Sequence, residues 1–180
     1  EAIDTLDRIA EALGATIDRS TYETVLSIER LERWIADACA EGVVALDTET
    51  TSLDPMSCEL VGGSLSLGQG RACYIPLGHR EGGNGDLFGG ADLVAGQLPL
   101  EEALALLKPL FENDAVLKIA HNMKYDLLVL SRYGLKVAPI EDTMLISYAL
   151  DTGRNNHGLD ELAKKHLGHE NISFAQVAGT

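Results

Sequence analysis

The chain has 180 residues, of which 46% are hydrophobic, enough for a single domain with a substantial core. Its formal net charge of −14 argues against tight binding of a polyanion by this chain alone. No stretch approaches the roughly 20 consecutive apolar residues of a membrane span, and no signal-peptide pattern opens the sequence, so we expect a soluble, cytoplasmic protein without a membrane partner. The three cysteines are odd in number and lack CxxC spacing, which argues against a disulfide framework or a zinc site.

The first predicted elements carry no candidate chemistry. Residues 1–20 contain apolar residues at helical spacing, and we predict a linker or an N-terminal helix there. A short strand is predicted over Tyr22–Leu26. The next helix is predicted to begin after Ser27 and to stop at Gly42, because serine is a preferred N-cap and glycine a preferred helix stop.

The most informative stretch is Val43–Leu53, an apolar strand that runs directly into Asp47 and Glu49. Side chains two positions apart on a strand point to the same side, so these carboxylates converge on one small volume and repel each other unless a cation lies between them. Hard cations prefer oxygen ligands, and open α/β sheets place such sites beyond the carboxyl ends of their strands. A metal site is therefore favoured over the alternative that Asp47 and Glu49 merely begin a polar loop.

The next elements predict an α/β fold with a mixed central sheet. Two further strands, over Glu59–Leu67 and Ala72–Leu77, are joined by the turn signal Gly68-Gln69-Gly70, so the first three long strands should be antiparallel. Residues 78–96 are rich in glycine and mixed charge and are predicted to form a long surface loop. Leu100–Phe111 has the periodicity of an amphipathic helix that packs on the sheet.

A second informative stretch follows a short strand predicted over Val116–Ala120. The helix predicted from His121 to Tyr133 carries Asn122 and Asp126, which are four residues apart and therefore share a face near its amino end. One interpretation is that Asn122 is an N-cap and Asp126 an exposed helix residue. A role in a site at the helix amino end is compatible with capping, so both interpretations are kept.

Two more helices complete the predicted pattern. One is predicted over Asp142–Leu150, after Pro139, and the other over Leu159–Leu167, where Gly168 supplies the stop signal. None of the five histidines pairs with another at ligand spacing, so they do not predict a histidine-rich metal site.

Two motifs resemble those of the 3′→5′ proofreading exonuclease domain of bacterial DNA polymerases of the polymerase I family, which belong to the ribonuclease H-like exonuclease superfamily. Asp47-Thr48-Glu49-Thr50-Thr51-Ser52-Leu53 is similar to the family's first motif, and Asn122-Met123-Lys124-Tyr125-Asp126 to its second. The similarity continues through Asp142-Thr143-Met144-Leu145 and Gly158-Leu159-Asp160-Glu161-Leu162-Ala163. The resemblance implies a ribonuclease H-like exonuclease domain over residues 21–180. The family's third motif, a tyrosine four residues before an aspartate, has no match in this sequence, so we expect a domain truncated before it.

The resemblance also implies roles for individual residues. It makes Asp47, Glu49 and Asp126 catalytic metal ligands, and it places Thr50 and Leu53 against the terminal nucleotide. Asn122 and Phe174 match positions that line the path of the single strand in the family, and the resemblance implies that Arg154 reaches a phosphate. For Phe174, ordinary packing is an equally open interpretation.

The implied cofactors are two divalent metal ions, Mg²⁺ or Mn²⁺, which together stabilise the attacking and the leaving oxygen of a phosphodiester hydrolysis. The implied substrate is the 3′ end of single-stranded or frayed DNA, which is released as a nucleoside monophosphate. The implied partner is the polymerase region of the same parent chain, in the bacterial cytoplasm and associated with the nucleoid. Because the third motif is missing, we expect the 180-residue chain to have impaired activity.

Two alternatives remain open within the same fold. One is a catalytically inactive exonuclease-like domain, which the presence of Asp47, Glu49 and Asp126 disfavours. The other is an RNA-trimming exonuclease of the ribonuclease D kind, which would share both motifs. A small-molecule α/β enzyme is disfavoured because the sequence has neither a nucleophile elbow nor a dinucleotide-binding fingerprint.

Overall fold

The computed structural model describes residues 19–81, 92–153 and 156–172. The chain divides into two compact units, one formed by residues 18–143 and the other containing the described residues 144–153 and 156–172. Within these described ranges, no helix is both long and apolar enough to cross a membrane. The predicted element in residues 1–18 lies outside the described residues.

The first unit contains both strands and helices. They are β1 (Glu23–Thr24), α1 (Ile28–Glu41), β2 (Val43–Thr50), β3 (Leu60–Gly68), β4 (Arg71–Pro76), β5 (Arg80–Glu81), β6 (Asp92–Leu93), α2 (Leu100–Phe111), β7 (Leu117–Ala120), α3 (Met123–Arg132) and β8 (Ile140–Asp142). Helix α4 (Thr143–Asp151) begins at the boundary between the units, and α5 (Leu159–Leu167) belongs to the second unit.

A six-stranded mixed sheet forms the centre of the first unit, in the order β1-β4-β3-β2-β7-β8. Strands β2, β3 and β4 pair antiparallel, which confirms the predicted antiparallel start of the sheet. Strand β2 also pairs parallel with β7, and β7 pairs parallel with β8. Because parallel strands end at the same edge, the residues that follow β2, β7 and β8 are brought together there.

Helix α1 directly precedes β2 in the chain. The Ser27 hydroxyl accepts a hydrogen bond from the Arg30 amide at 3.3 Å, and Gly42, in the left-handed conformation with φ 72°, donates to the Ala38 carbonyl at 3.1 Å. Both predicted ends of this helix are therefore confirmed. Since β2 begins one residue after Gly42, the helix stop fixes where the buried strand enters the sheet.

The hydrophobic core fills the space between the sheet and the helices of the first unit. It contains Leu31, Trp34 and Ala38 of α1, Val44 and Leu46 of β2, Leu65 of β3, Ile75 of β4, Leu104, Leu107 and Leu110 of α2, and Met123, Val129 and Leu130 of α3.

Several predicted bounds are wrong in detail. The strand predicted over Tyr22–Leu26 is only two residues long, and the helix predicted from His121 begins at Met123. The helix predicted from Asp142 begins one residue later, because Asp142 ends β8 by pairing with Ala120. The predicted loop over residues 78–96 contains the short antiparallel pair β5–β6, while residues 82–91 between these strands lie outside the described residues.

A buried lysine ties β7 to the segment that precedes β8. The Lys118 side chain has no exposed surface, and its ammonium group donates to the carbonyls of Asn113 at 2.8 Å and Val116 at 2.7 Å, and also to that of Ala138. Burial lowers the pKa of this amine. Three carbonyl acceptors compensate for the removal of the charge from water, so Lys118 acts as a structural link between two strands.

Substitution of Lys118 tests that link. Lys118→Met keeps the length and apolar stem of the side chain but removes the donor to three carbonyls, of which that of the buried residue Val116 is left inside the protein. We expect the free energy of unfolding to fall by roughly 1–3 kcal/mol. Urea denaturation measures the change, with Lys124→Met at an exposed position of α3 as the matched control. Equal stability of the two variants would contradict a structural role for the Lys118 ammonium group.

Candidate active site

The carboxylates of Asp47 and Glu49 project from the last residues of β2. Across the antiparallel pair with β3, Asp47 lies opposite Ser64 and Glu49 lies opposite Gly62. Both acidic side chains are exposed, whereas Val44 on the same strand is fully buried. The strand therefore passes from the core to the surface just where the acidic residues begin, as the sequence predicted.

Helix α3 brings Asp126 to the same part of β2. The Asp126 side chain is only 2% exposed, and its Oδ1 accepts hydrogen bonds from the Thr48 amide at 3.1 Å and from the Thr48 hydroxyl at 2.6 Å. Thr48 is the residue between Asp47 and Glu49, so residues 78 positions apart in the sequence meet at one point of the strand. The interpretation of Asp126 as an exposed helix residue is wrong, because the helix packs this face against the sheet.

The charges of Asp126 and Glu49 are close enough to affect the ionisation of Asp47. Crowding by surrounding protein atoms is the largest cause that raises the pKa of Asp47 to about 6, followed by the negative charge of Asp126 and then that of Glu49. Burial also raises the pKa of Asp126, with a smaller contribution from Asp142, while the hydrogen bonds from Thr48 oppose the increase. The site therefore carries negative charge that the surrounding protein does not fully compensate.

This donor set has the chemistry that a hard divalent cation requires. Carboxylate oxygens are the usual ligands of Mg²⁺, and a bound cation would stabilise the ionised forms that mutual repulsion now disfavours. In the part of the chain that the structure describes, no three His, Cys, Asp or Glu side chains stand close enough to form a complete metal site. Asp126 is held against Thr48 in this arrangement, so joint coordination with Asp47 requires a change in its side-chain conformation.

Asp142 holds the amino end of α3 and was not predicted to act at the site. Its carboxylate accepts from the Asn122 amide at 3.1 Å and from the Met123 amide at 2.9 Å. Two amides at a helix amino end are thus satisfied by a residue from the neighbouring strand β8. The sequence pattern placed Asp142 at the start of a helix, and only the pairing of β8 with β7 shows that it ends a strand and which helix it reaches.

Asn122 precedes α3 in a left-handed conformation with φ 64°, and its side chain makes no capping hydrogen bond. Side-chain capping by Asn122 is therefore wrong, because the Asp142 carboxylate occupies that role. A left-handed conformation is unusual for a residue other than glycine and indicates that the surrounding contacts fix the backbone here.

A tyrosine of α3 connects the helix to the segment after β2. The Thr50 hydroxyl lies 2.5 Å from the Tyr125 hydroxyl, which also donates to the Ser52 carbonyl at 2.6 Å. Leu53 follows with 95% of its surface exposed. Thr50 and Leu53 thus lie directly beyond the carboxylates, whereas Arg154 and Phe174 lie outside the described residues.

Comparisons with known proteins give a consistent assignment. A family model described as 3′-5′ exonuclease matches residues 22–180. DNA polymerase I of Rhizobium leguminosarum is 50% identical over 181 residues, which cover 95% of this chain. The matched region is 18% of that polymerase, so this chain spans less than a fifth of the length of this relative.

Solved structures show the same fold at lower identity. Escherichia coli RNase D, described as an exoribonuclease involved in structured RNA processing, has a TM-score of 0.60 and 18% identity, covering 88% of this chain and 40% of its own. Brucella melitensis NrnC with bound Mg²⁺ has a TM-score of 0.57 and 22% identity, covering 88% of this chain and 70% of its own. The predicted ribonuclease H-like exonuclease fold is thereby confirmed.

The raised pKa of Asp47 predicts how stability depends on pH in metal-free protein. A carboxyl group whose pKa is higher in the folded state stabilises the fold below its unfolded pKa, and this contribution is lost as the pH rises through about 6. Asp47→Asn in EDTA should therefore increase the free energy of unfolding at neutral pH by up to about 1 kcal/mol, since solvent screens an exposed charge.

Urea denaturation across this pH range measures the effect. The difference between the variant and the unsubstituted chain should shrink toward about pH 4, near the unfolded pKa of aspartate. A difference of constant size from acid to neutral pH would contradict the electrostatic origin of the effect.

Proposed function

We propose, since this chain belongs to the 3′–5′ exonuclease family of DNA polymerase I, that Asp47, Glu49 and Asp126 are the carboxylates with which it hydrolyses the 3′-terminal phosphodiester bond of single-stranded DNA. The observation that supports this most is the contact of Asp126 with Thr48, which brings the acid of α3 to the two acids of β2. The product would be a nucleoside monophosphate.

The proposed cofactors are two divalent metal ions, Mg²⁺ or Mn²⁺. The exposed carboxylates of Asp47 and Glu49 and the raised pKa values of Asp47 and Asp126 support them, as does a structural neighbour solved with bound Mg²⁺. When bound, such ions would neutralise the carboxylates and stabilise the negative charge that develops on the scissile phosphate. Asp47 and Glu49 would hold them from β2, and Asp126 from α3.

The remaining residues of the site would bind and orient the DNA end. Thr50, held by Tyr125, would donate or accept hydrogen bonds at the terminal nucleotide, and the exposed Leu53 would contact its base. Asn122, whose backbone is fixed by Asp142, would line the path of the strand. Arg154 and Phe174 are proposed contacts on the basis of sequence alone.

The acidic composition suits a domain to which an attached DNA-binding region supplies the substrate. A net charge of −14 weakens association with DNA, whereas attachment to a DNA-binding polymerase region would raise the local concentration of a DNA end. We therefore propose the polymerase region of a longer cytoplasmic parent chain, associated with the nucleoid, as the partner. The much greater length of the related polymerase supports this.

The proposal predicts metal-dependent shortening of a DNA strand. A single-stranded oligodeoxynucleotide labelled at its 5′ end should lose nucleotides from its 3′ end in Mg²⁺ or Mn²⁺, and EDTA should abolish the loss. Asp126→Asn should lower the rate at least about a hundredfold, the scale expected when charge stabilisation at a reacting group is removed. Gel electrophoresis of the labelled products measures the rate.

The matched control is Asp92→Asn, at an exposed position of β6. It should leave the rate unchanged. Degradation that persists in EDTA or in Asp126→Asn would contradict the assignment, and faster loss of an RNA strand would favour a ribonuclease. The expected impairment is tested separately, by comparing the 180 residues with a longer chain that includes a third motif. Equal activity of the two chains would contradict the impairment and leave the exonuclease function standing.

A further inference from the structure

The segment that follows β2 is a turn stabilised by its own side chains. We define the Leu53 loop as residues 51–58. The Asp54 carbonyl accepts from the Ser57 amide at 3.2 Å, and its carboxylate accepts from the Met56 amide at 3.0 Å and the Ser57 hydroxyl at 2.7 Å. The Ser52 hydroxyl accepts from the Asp54 amide at 3.0 Å. These bonds restrict the backbone on both sides of Leu53 and Met56.

Side chains of helix α3 also hold the Leu53 loop by hydrogen bonds. Tyr125 donates to the Ser52 carbonyl at 2.6 Å, near the start of the Leu53 loop. Arg132, two turns further along the helix, donates to the Pro55 carbonyl at 3.1 Å and to the Cys58 carbonyl at 2.5 Å. The helix that carries Asp126 therefore also fixes the position of this loop.

Two large apolar side chains of this fixed loop remain in solvent. Leu53 is 95% exposed and Met56 is 62% exposed, whereas Cys58 at the end of the loop is 1% exposed. Apolar side chains that an ordered loop exposes to water do not add to the stability of the hydrophobic core. They can bind an apolar surface without a large loss of conformational entropy, because the backbone that carries them is already ordered.

We propose that Met56 is a second base contact, which binds a nucleotide upstream of the one that Leu53 contacts. The inference rests on the proposed exonuclease function. The Leu53 loop directly continues β2, so it adjoins the carboxylates of Asp47 and Glu49, at which the proposed function places the terminal phosphodiester. The flexible, polarizable thioether of methionine makes favourable contacts with the faces and edges of aromatic rings, and it tolerates bases of different size.

A scan with abasic nucleotides tests this contact. Single-stranded oligodeoxynucleotides of about ten nucleotides, each lacking one base near the 3′ end, are titrated in Ca²⁺ at low salt, and binding is followed by fluorescence anisotropy. Met56→Ala should weaken binding of the complete strand roughly three- to tenfold. The loss should disappear with the one strand that lacks the base contacted by Met56. Leu53→Ala should show the same pattern at the terminal nucleotide.

The matched control is Leu93→Ala, since Leu93 of β6 is 57% exposed and lies outside the Leu53 loop. Unchanged binding by Leu93→Ala and coupling of Met56 to a single upstream position would support the inference. Unchanged binding by Met56→Ala, or a loss that is the same whichever base is missing, would overturn it while leaving the exonuclease function standing. An unsubstituted chain that binds no single-stranded DNA at low salt would overturn the Met56 contact, whereas the metal-dependent shortening of a labelled strand tests the exonuclease function separately.

Discussion

The hydrogen bonds that Thr48 donates to the Asp126 carboxylate join the two halves of the candidate site. One half is the end of β2, where Asp47 and Glu49 leave the core, and the other is the first turn of α3. Each half alone is an ordinary strand end or helix start. Joined at Thr48, they place carboxylates at one edge of the sheet, where burial raises the pKa values of Asp47 and Asp126 and the charges of Asp126 and Glu49 raise that of Asp47 further.

The rest of the fold maintains this junction. Strands β2, β7 and β8 run parallel and end at one edge, so that Asp142 of β8 reaches the amino end of α3 and holds it by two backbone amides. Lys118 links β7 to the segment before β8 through buried carbonyls. The stability of the core and the placement of the acidic residues therefore depend on the same strand pairings. Electrostatic repulsion at Asp47 opposes that stability.

Local patterns were enough to predict the main elements and the acidic cluster. The capping residues Ser27 and Gly42 fixed the ends of α1, and the alternation along β2 placed Asp47 and Glu49 on one side. Local sequence patterns could not predict the long-range contacts. The capping role of Asp142 depends on the pairing of β8 with β7. The burial of Lys118 depends on carbonyls from two segments, one before β7 and one before β8. The position of the Leu53 loop depends on the packing of α3. The spacing of residues along the sequence does not determine these distances.

The acids of β2 and α3 are proposed to share a cation. The most direct measurement is a crystal structure of the chain soaked in Mn²⁺, with the ion located by its anomalous scattering. Anomalous density is expected within about 2–2.6 Å of carboxylate oxygens from both Asp47 and Asp126, the distance range of divalent metal–oxygen bonds in proteins. A Mn²⁺-soaked crystal in which Asp126 remains bound to Thr48, with no ion beside Asp47 or Glu49, would contradict it.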